Sequence, residues 1–134
     1  MNKEQQAVIQ GLVITVLVVG LLTAIWAAYV HLFPKTWEWL KTSISFLNYS
    51  FGLYLGMLSA SLRIKSSRIN APLFVMLIFF FLNIFLRVIF VTDSISYWLV
   101  TLKFLYSSLL LIVAYRQAKI LQNKQNSYSY SRLR

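Results

Sequence analysis

The chain has 134 residues, of which 59% are hydrophobic and only 12% are charged, and its formal net charge is +10. A soluble domain has about 25% charged residues, and a fold this small cannot bury so much apolar surface, so the composition excludes an ordinary soluble domain and indicates a membrane protein. Because the chain contains no cysteine, it forms no disulfide and has no thiolate metal site or cysteine nucleophile.

Four segments have the length that a membrane-crossing helix requires, about 20 mainly apolar residues. The first apolar run is too long for the core of a cleaved signal peptide, so we predict a span there. The remaining segment is a polar, basic tail, which we expect to extend the fourth helix and then fray. The predicted fold is an all-α integral membrane four-helix bundle with spans at residues 7–33, 42–62, 71–92 and 96–115 and a tail at 116–134.

The basic residues predict the orientation of the spans, because cytoplasmic loops are enriched in lysine and arginine. The two loops on one side hold only Lys35 and Lys41. The N-terminal segment, the loop between spans two and three, and the tail together hold nine: Lys3, Arg63, Lys65, Arg68, Arg116, Lys119, Lys124, Arg132 and Arg134. We therefore expect both termini in the cytoplasm, with the tryptophans near the outer ends of the spans.

Two spans carry stripes of small residues at four-residue spacing, which let helix backbones approach each other in a membrane. We expect both stripes to lie inside the bundle or at a contact between subunits. The stripe of span one is Gly20, Ala24 and Ala28, and that of span two is Gly52, Gly56 and Ala60.

Two cations lie inside predicted spans. Arg87 precedes Asp93 by six residues, roughly 9 Å along the helix, and Lys103 follows Ser94 by nine residues, roughly 13 Å. Spans three and four are joined by a short loop, so we expect them to be antiparallel neighbours. This placement predicts a polar cluster in the outer half of the bundle, formed by Asn48, Asn83, Arg87, Lys103, Tyr106 and Ser107.

A charge near the centre of a span costs about 2.5–3.5 kcal/mol on insertion scales, so each cation needs water or an anion. In one interpretation, Arg87 and Lys103 extend toward the outer headgroups and pair with Asp93 or Glu38, unless the deeper Lys103 loses its proton through desolvation. In the other, the anion comes from outside the chain, as a lipid phosphate, an anionic substrate or a carboxylate of a partner protein. The third acidic residue, Glu4, belongs to the opposite side of the membrane.

The residues needed for catalysis are missing from the pattern, so we do not expect an enzyme, a metal site or a cofactor. The sequence shows no His/Cys/Asp/Glu cluster, no glycine-rich phosphate loop and no serine-base-acid set. No predicted span carries an acidic residue, which argues against a carboxylate-driven exporter. The basic residues flank apolar runs instead of forming a basic face, so nucleic acid is not an expected partner.

The stretches LLTAIWAAYVHLF and SISFLNYSFGLYLGMLSAS, with their glycine pair Gly52 and Gly56, resemble a family of small uncharacterised membrane proteins of Gram-positive bacteria. The four-span layout with basic inner loops is also similar to the small accessory protein encoded with bacterial ATP synthases. Both resemblances imply four spans in a bacterial plasma (inner) membrane, and neither implies a catalytic site.

Three functional hypotheses remain open from the sequence. The first is an accessory or assembly subunit, or a homo-oligomeric membrane component, that binds a membrane protein partner or itself through the small-residue stripes. The second is a carrier, flippase or channel for an anionic lipid or solute, with Arg87 and Lys103 as the binding cations. The third is a holin-like pore former.

Overall fold

The computed structural model describes residues 2–64, 69–90 and 97–133. Within these ranges the chain is helical and contains no strand, which confirms the all-α prediction. The predicted span ends at residues 92 and 96 lie outside the described residues. The four helices are α1 (Lys3–Leu32), α2 (Glu38–Arg63), α3 (Asn70–Phe90) and α4 (Tyr97–Arg132).

The start of α1 is fixed by its own side chains. The Asn2 side chain accepts a hydrogen bond from the Gln5 backbone N–H at 2.8 Å, and the Asn2 N–H donates to the Gln5 side chain at 3.3 Å. This reciprocal capping box satisfies N–H groups that have no partner within the helix.

Contacts along the helices show that successive helices alternate in direction. The Gln10 side chain of α1 bonds Ser59, near the end of α2, and the Lys103 side chain of α4 bonds Asn83 of α3. We call the end where α1 begins and α2 finishes the lower end, and the opposite end the upper end. Helix α2 contacts all three other helices, whereas α1 and α4 make no contact through the residues described. The bundle is therefore a rhombus with α2 and α3 across its short diagonal.

Buried residues occupy only the lower half of the bundle. The uppermost ones are Thr15 in α1, Tyr49 in α2, Phe80 in α3 and Ser107 in α4. Above that level no described residue of the four helices is buried. The core consists of Ala7, Tyr49, Leu53, Met57, Ala60, Ala71, Val75, Met76, Phe79, Leu111 and Ala114.

Three of the four helices, α1, α3 and α4, are long and apolar enough to cross a membrane. Large apolar side chains are exposed on the outside of these helices, as expected for surfaces in contact with lipid. Helix α2, also predicted as a span, does not reach the same apolarity in the described residues. Its position explains this difference, because neighbouring helices cover its buried Ser50 and Ser61.

Helix α4 continues through the segment predicted as a separate tail. It has 36 residues, about 54 Å at 1.5 Å per residue, whereas the hydrocarbon core of a bilayer is about 30 Å thick. Ala118 is buried against the bundle, and every described residue from 123 onward is exposed. The first two turns after residue 115 thus belong to the packed bundle, and only the last turns project from it.

Candidate functional site

The stripe of small residues on α2 packs against α1. Gly52, Gly56 and Ala60 are buried, and the surface they meet on α1 includes Gly11 and Thr15. A β-carbon built on Gly56 would lie 2.6 Å from the Gly11 carbonyl oxygen and closer still to the Thr15 hydroxyl, so the close approach of the two helices depends on the absence of a side chain at position 56. This stripe is used within the chain, which leaves it unavailable to a partner.

The stripe on α1 lies elsewhere. Gly20, Ala24 and Ala28 are exposed, and a β-carbon built on Gly20 would meet nothing within 4 Å. At 100° per residue these three positions point roughly opposite to Gly11 and Thr15, the residues that contact α2. The stripe therefore does not pack inside this bundle, and a contact between subunits stays a prediction.

Lys103 lies on top of the buried core, at the boundary with the upper half. Its ammonium donates a hydrogen bond of 2.6 Å to the Asn83 side-chain oxygen and sits 4.2 Å from the centre of the Tyr49 ring. An ammonium has three N–H groups, and an aromatic face attracts a cation. No further hydrogen-bond partner for Lys103 is found in the described ranges.

Two hydroxyl groups, those of Tyr49 and Ser107, fix the position of the aromatic ring that this ammonium contacts. The Ser107 hydroxyl, fully buried, donates to the Lys103 carbonyl at 2.8 Å and so accepts the 3.2 Å hydrogen bond from the Tyr49 hydroxyl. The Tyr49 ring also stacks on Phe79, with 5.4 Å between ring centres. Tyr49 is thus held on both sides, and its ring forms a fixed platform for Lys103.

Arg87 and Lys103 line the same small cleft between α3 and α4, with Asn83 beside them. Its other walls are apolar, from Phe80, Ile84, Leu99 and Val100. The Arg87 side chain is exposed and makes no hydrogen bond, ion pair or ring contact with the described part of the chain. The cleft therefore presents two positive charges, one held in place and one free to reach outward.

The structure joins four of the six residues predicted for the polar cluster: Asn83, Arg87, Lys103 and Ser107. Tyr106 instead packs its ring on Phe46 of α2, with centres 4.7 Å apart. Asn48 is half-buried and makes no hydrogen bond with the residues described. Tyr49, which the sequence analysis missed, connects the cluster. Its spacing of four residues from the buried Leu53 placed it on the packed face of α2.

The acidic residues that the structure describes lie away from the cleft. Glu38 forms an exposed ion pair of 2.9 Å with Lys41, and Glu4 lies at the lower end of the bundle. The predicted pairing of Arg87 with Asp93 falls outside the described residues. In the described ranges, no group of three or more His, Cys, Asp or Glu side chains is positioned to hold a metal ion.

A second polar cluster, absent from the sequence predictions, joins the helices at the lower end. The Arg63 guanidinium donates to the side chains of Gln6 and Gln10, and Gln10 donates to the Ser59 hydroxyl at 3.1 Å. The Gln122 amide of α4 lies 3.1–3.4 Å from the carbonyl oxygens at the end of α2, those of Ser61, Leu62 and Ile64. These contacts cap α2, whose last carbonyls have no partner within the helix.

Comparison with known proteins adds no further assignment. The resemblances to small membrane proteins of Gram-positive bacteria and to the ATP synthase accessory protein stay predictions. No protein-family model, curated protein or solved structure matches this chain.

Proposed function

We propose that this chain is a four-span protein of a bacterial inner membrane that binds an anionic group, lipid or solute, at Arg87 and Lys103, as a carrier, flippase or channel would. Three helices of membrane-spanning length support the location, and the burial of α2 among them supports a fourth span. The excess of basic residues at the lower end supports a cytoplasmic location of both termini.

The observation that carries this proposal is the pair of cations on one cleft. Two like charges near each other in a medium of low dielectric constant repel, and each is costly to keep from water. No carboxylate of the described residues lies at the cleft. An anion bound between the two cations would offset both costs, so the site favours a ligand of negative charge.

The proposal is tested by measuring the thermal stability of the purified protein against a panel of anions. The panel contains inorganic phosphate, citrate and phosphatidylglycerol in mixed micelles, because a ligand that binds the folded state raises its melting temperature. We expect at least one anion to stabilise the wild type but not the Arg87→Gln/Lys103→Met double variant. Lys35→Gln is the matched control, since it removes a charge from an exposed position at the same end of the bundle. Equal responses of all three proteins to every anion would contradict the proposal.

A second candidate function, as an accessory subunit or homo-oligomer, is supported by the exposed stripe on α1. Gly20, Ala24 and Ala28 form a smooth surface on which another helix of the membrane could pack closely. Replacing Gly20 and Ala24 with leucine should release a bound subunit in native mass spectrometry. Thr23→Leu, an exposed change off the stripe, should retain it. An unchanged subunit count in the stripe variant would rule this function out.

A further inference from the structure

We infer that the anionic group is the phosphate of a membrane lipid, which binds at the mouth of the α3–α4 cleft between Arg87 and Lys103. This inference rests on the function proposed above and names its ligand. It is carried by four features of the site: the size of the cleft, the chemistry around its mouth, the depth of the two cations and the hydrogen-bond donors that the two cations offer.

The cleft is too small to enclose a solute. Its volume of about 20 Å³ has room for about one water molecule, which needs about 10–15 Å³ on the same measure. A phosphate or carboxylate therefore cannot lie inside it. The anion has to lie at the mouth, where the exposed Arg87 side chain can reach it from outside and the Lys103 ammonium from inside.

The surroundings of the mouth are apolar. Ile84, Leu99 and Val100 line the cleft, and Leu86 and Val88 beside Arg87 are exposed on the outer surface of α3. In a bilayer this surface faces lipid. A water-soluble anion would lose its hydration there without gaining apolar contacts. A phospholipid instead brings its phosphate together with acyl chains, which cover the exposed leucine and valine side chains.

The cations lie at a depth where a lipid phosphate can reach them. By helical rise along the sequence, Arg87 is six positions, roughly 9 Å, from Asp93, and Lys103 is nine positions, roughly 13 Å, from Ser94 in the connection between the two spans. The headgroup layer on each side of a bilayer is about 5–7 Å thick. The exposed and long Arg87 side chain can therefore extend to this layer, whereas Lys103 lies deeper.

The donors of the two side chains complement a phosphate. A guanidinium offers two parallel N–H groups that match two oxygens of one phosphate, and an ammonium binds a third oxygen as a point charge. Asn83 and the Tyr49 ring fix the position of the ammonium before any ligand arrives. The ligand then has only the Arg87 side chain to order on binding.

The inference is tested by native mass spectrometry of the full chain in mild detergent, with two added lipids that have identical acyl chains. Phosphatidylglycerol carries the phosphate, and diacylglycerol lacks it. We expect the wild type and Lys35→Gln to retain phosphatidylglycerol, and Arg87→Gln and Lys103→Met to retain it about tenfold less, since hydrogen bonds to charged groups contribute at least this factor. Circular dichroism checks that each variant keeps its helix content. Arg87 is exposed, so its variant tests the site even if Lys103→Met does not fold.

Two results would overturn the inference in different ways. Equal retention of the two lipids, or equal retention of phosphatidylglycerol by the wild type and Arg87→Gln, would show that the lipid phosphate does not bind at this cleft. If inorganic phosphate then stabilised the wild type but not Arg87→Gln, the ligand would be a free anion and the proposed function would stand. If neither form of phosphate and no other anion of the panel distinguished the two proteins, the proposed function would fail as well.

Discussion

Gly11 and Gly56 face each other where α1 crosses α2, with each backbone against the other. A β-carbon on Gly56 would lie 2.6 Å from the carbonyl oxygen of Gly11, and one on Gly11 would lie 2.8 Å from the carbonyl oxygen of Gly56. Both distances are below those that real β-carbons adopt, and the opposing atoms belong to backbone that cannot rotate away. The close approach of α1 and α2 therefore depends on both glycines.

Replacing Gly56 with alanine should lower the free energy of unfolding by about 1–3 kcal/mol, the usual cost of adding a methyl group to a packed core. The measurement is denaturant-induced unfolding in detergent micelles. Gly20→Ala is the matched control, because nothing lies within 4 Å of its β-carbon. Alanine is the better helix former, so this variant should equal or exceed the wild type in stability. Equal loss in both variants would contradict the packing argument.

The hydroxyl pair Tyr49 and Ser107 should contribute to stability as a unit. Tyr49→Phe and Ser107→Ala each remove one partner of the same buried hydrogen bond. In a double-mutant cycle, we expect a coupling energy of about 0.5–1.5 kcal/mol. Strictly additive effects of the two substitutions would show that this hydrogen bond does not link α2 to α4.

The Gln122 side chain should protect the end of α2. Gln122→Ala removes the amide that contacts the carbonyl oxygens of Ser61, Leu62 and Ile64. We expect faster hydrogen exchange of the amides in the last turn of α2, by up to about tenfold, since a hydrogen bond contributes about 1 kcal/mol. Gln117→Ala, on an exposed face of α4, should leave that exchange unchanged. Unaltered exchange in Gln122→Ala would contradict the capping role.

The number of spans can be measured directly because the chain has no cysteine. Single cysteines at Lys3, Lys35 and Ser127 would each react with a membrane-impermeant maleimide from one side only. If α2 crosses the membrane, the cysteine at position 35 reacts from outside intact cells and the other two only after lysis. Labelling of positions 3 and 35 from the same side would show that α1 does not cross. Labelling of positions 35 and 127 from the same side would contradict both termini being cytoplasmic.

The helices could be predicted well from the sequence because a run of about 20 mainly apolar residues is a clear sign of a membrane-spanning helix. The sequence identified Gly52, Gly56 and Ala60 as a packing stripe but did not identify their counterpart on α1. Ala7, Gly11 and Thr15 have the same four-residue spacing as Gly20, Ala24 and Ala28, and all lie on one helix. Spacing alone cannot tell which of the two faces meets α2, since that depends on where the helices cross.

In the predicted polar cluster, the positions of Asn83, Lys103 and Ser107 along their helices indicated that these residues lie near one another, as they do in the structure. Depth says nothing about rotation, which is why Asn48 and Tyr106 were grouped with them although Tyr106 packs on Phe46. Tyr49 was missed because an aromatic residue in an apolar helix looks like core. Tyr49 does belong to the core. In addition, its hydroxyl binds Ser107 and its ring face contacts the Lys103 ammonium.

The confinement of the buried residues to the lower half has a consequence for how this protein can change. Apart from Val19, which packs against the core, substitutions above the level of Tyr49 and Ser107 alter side chains that contribute little to holding the helices together. The upper half can therefore accumulate sequence variation, including new polar groups around Arg87, at little risk to folding. A library of variants restricted to residues 20–32 and 81–90 should yield mostly folded proteins, and so allow selection for ligand or partner specificity while the fold is kept.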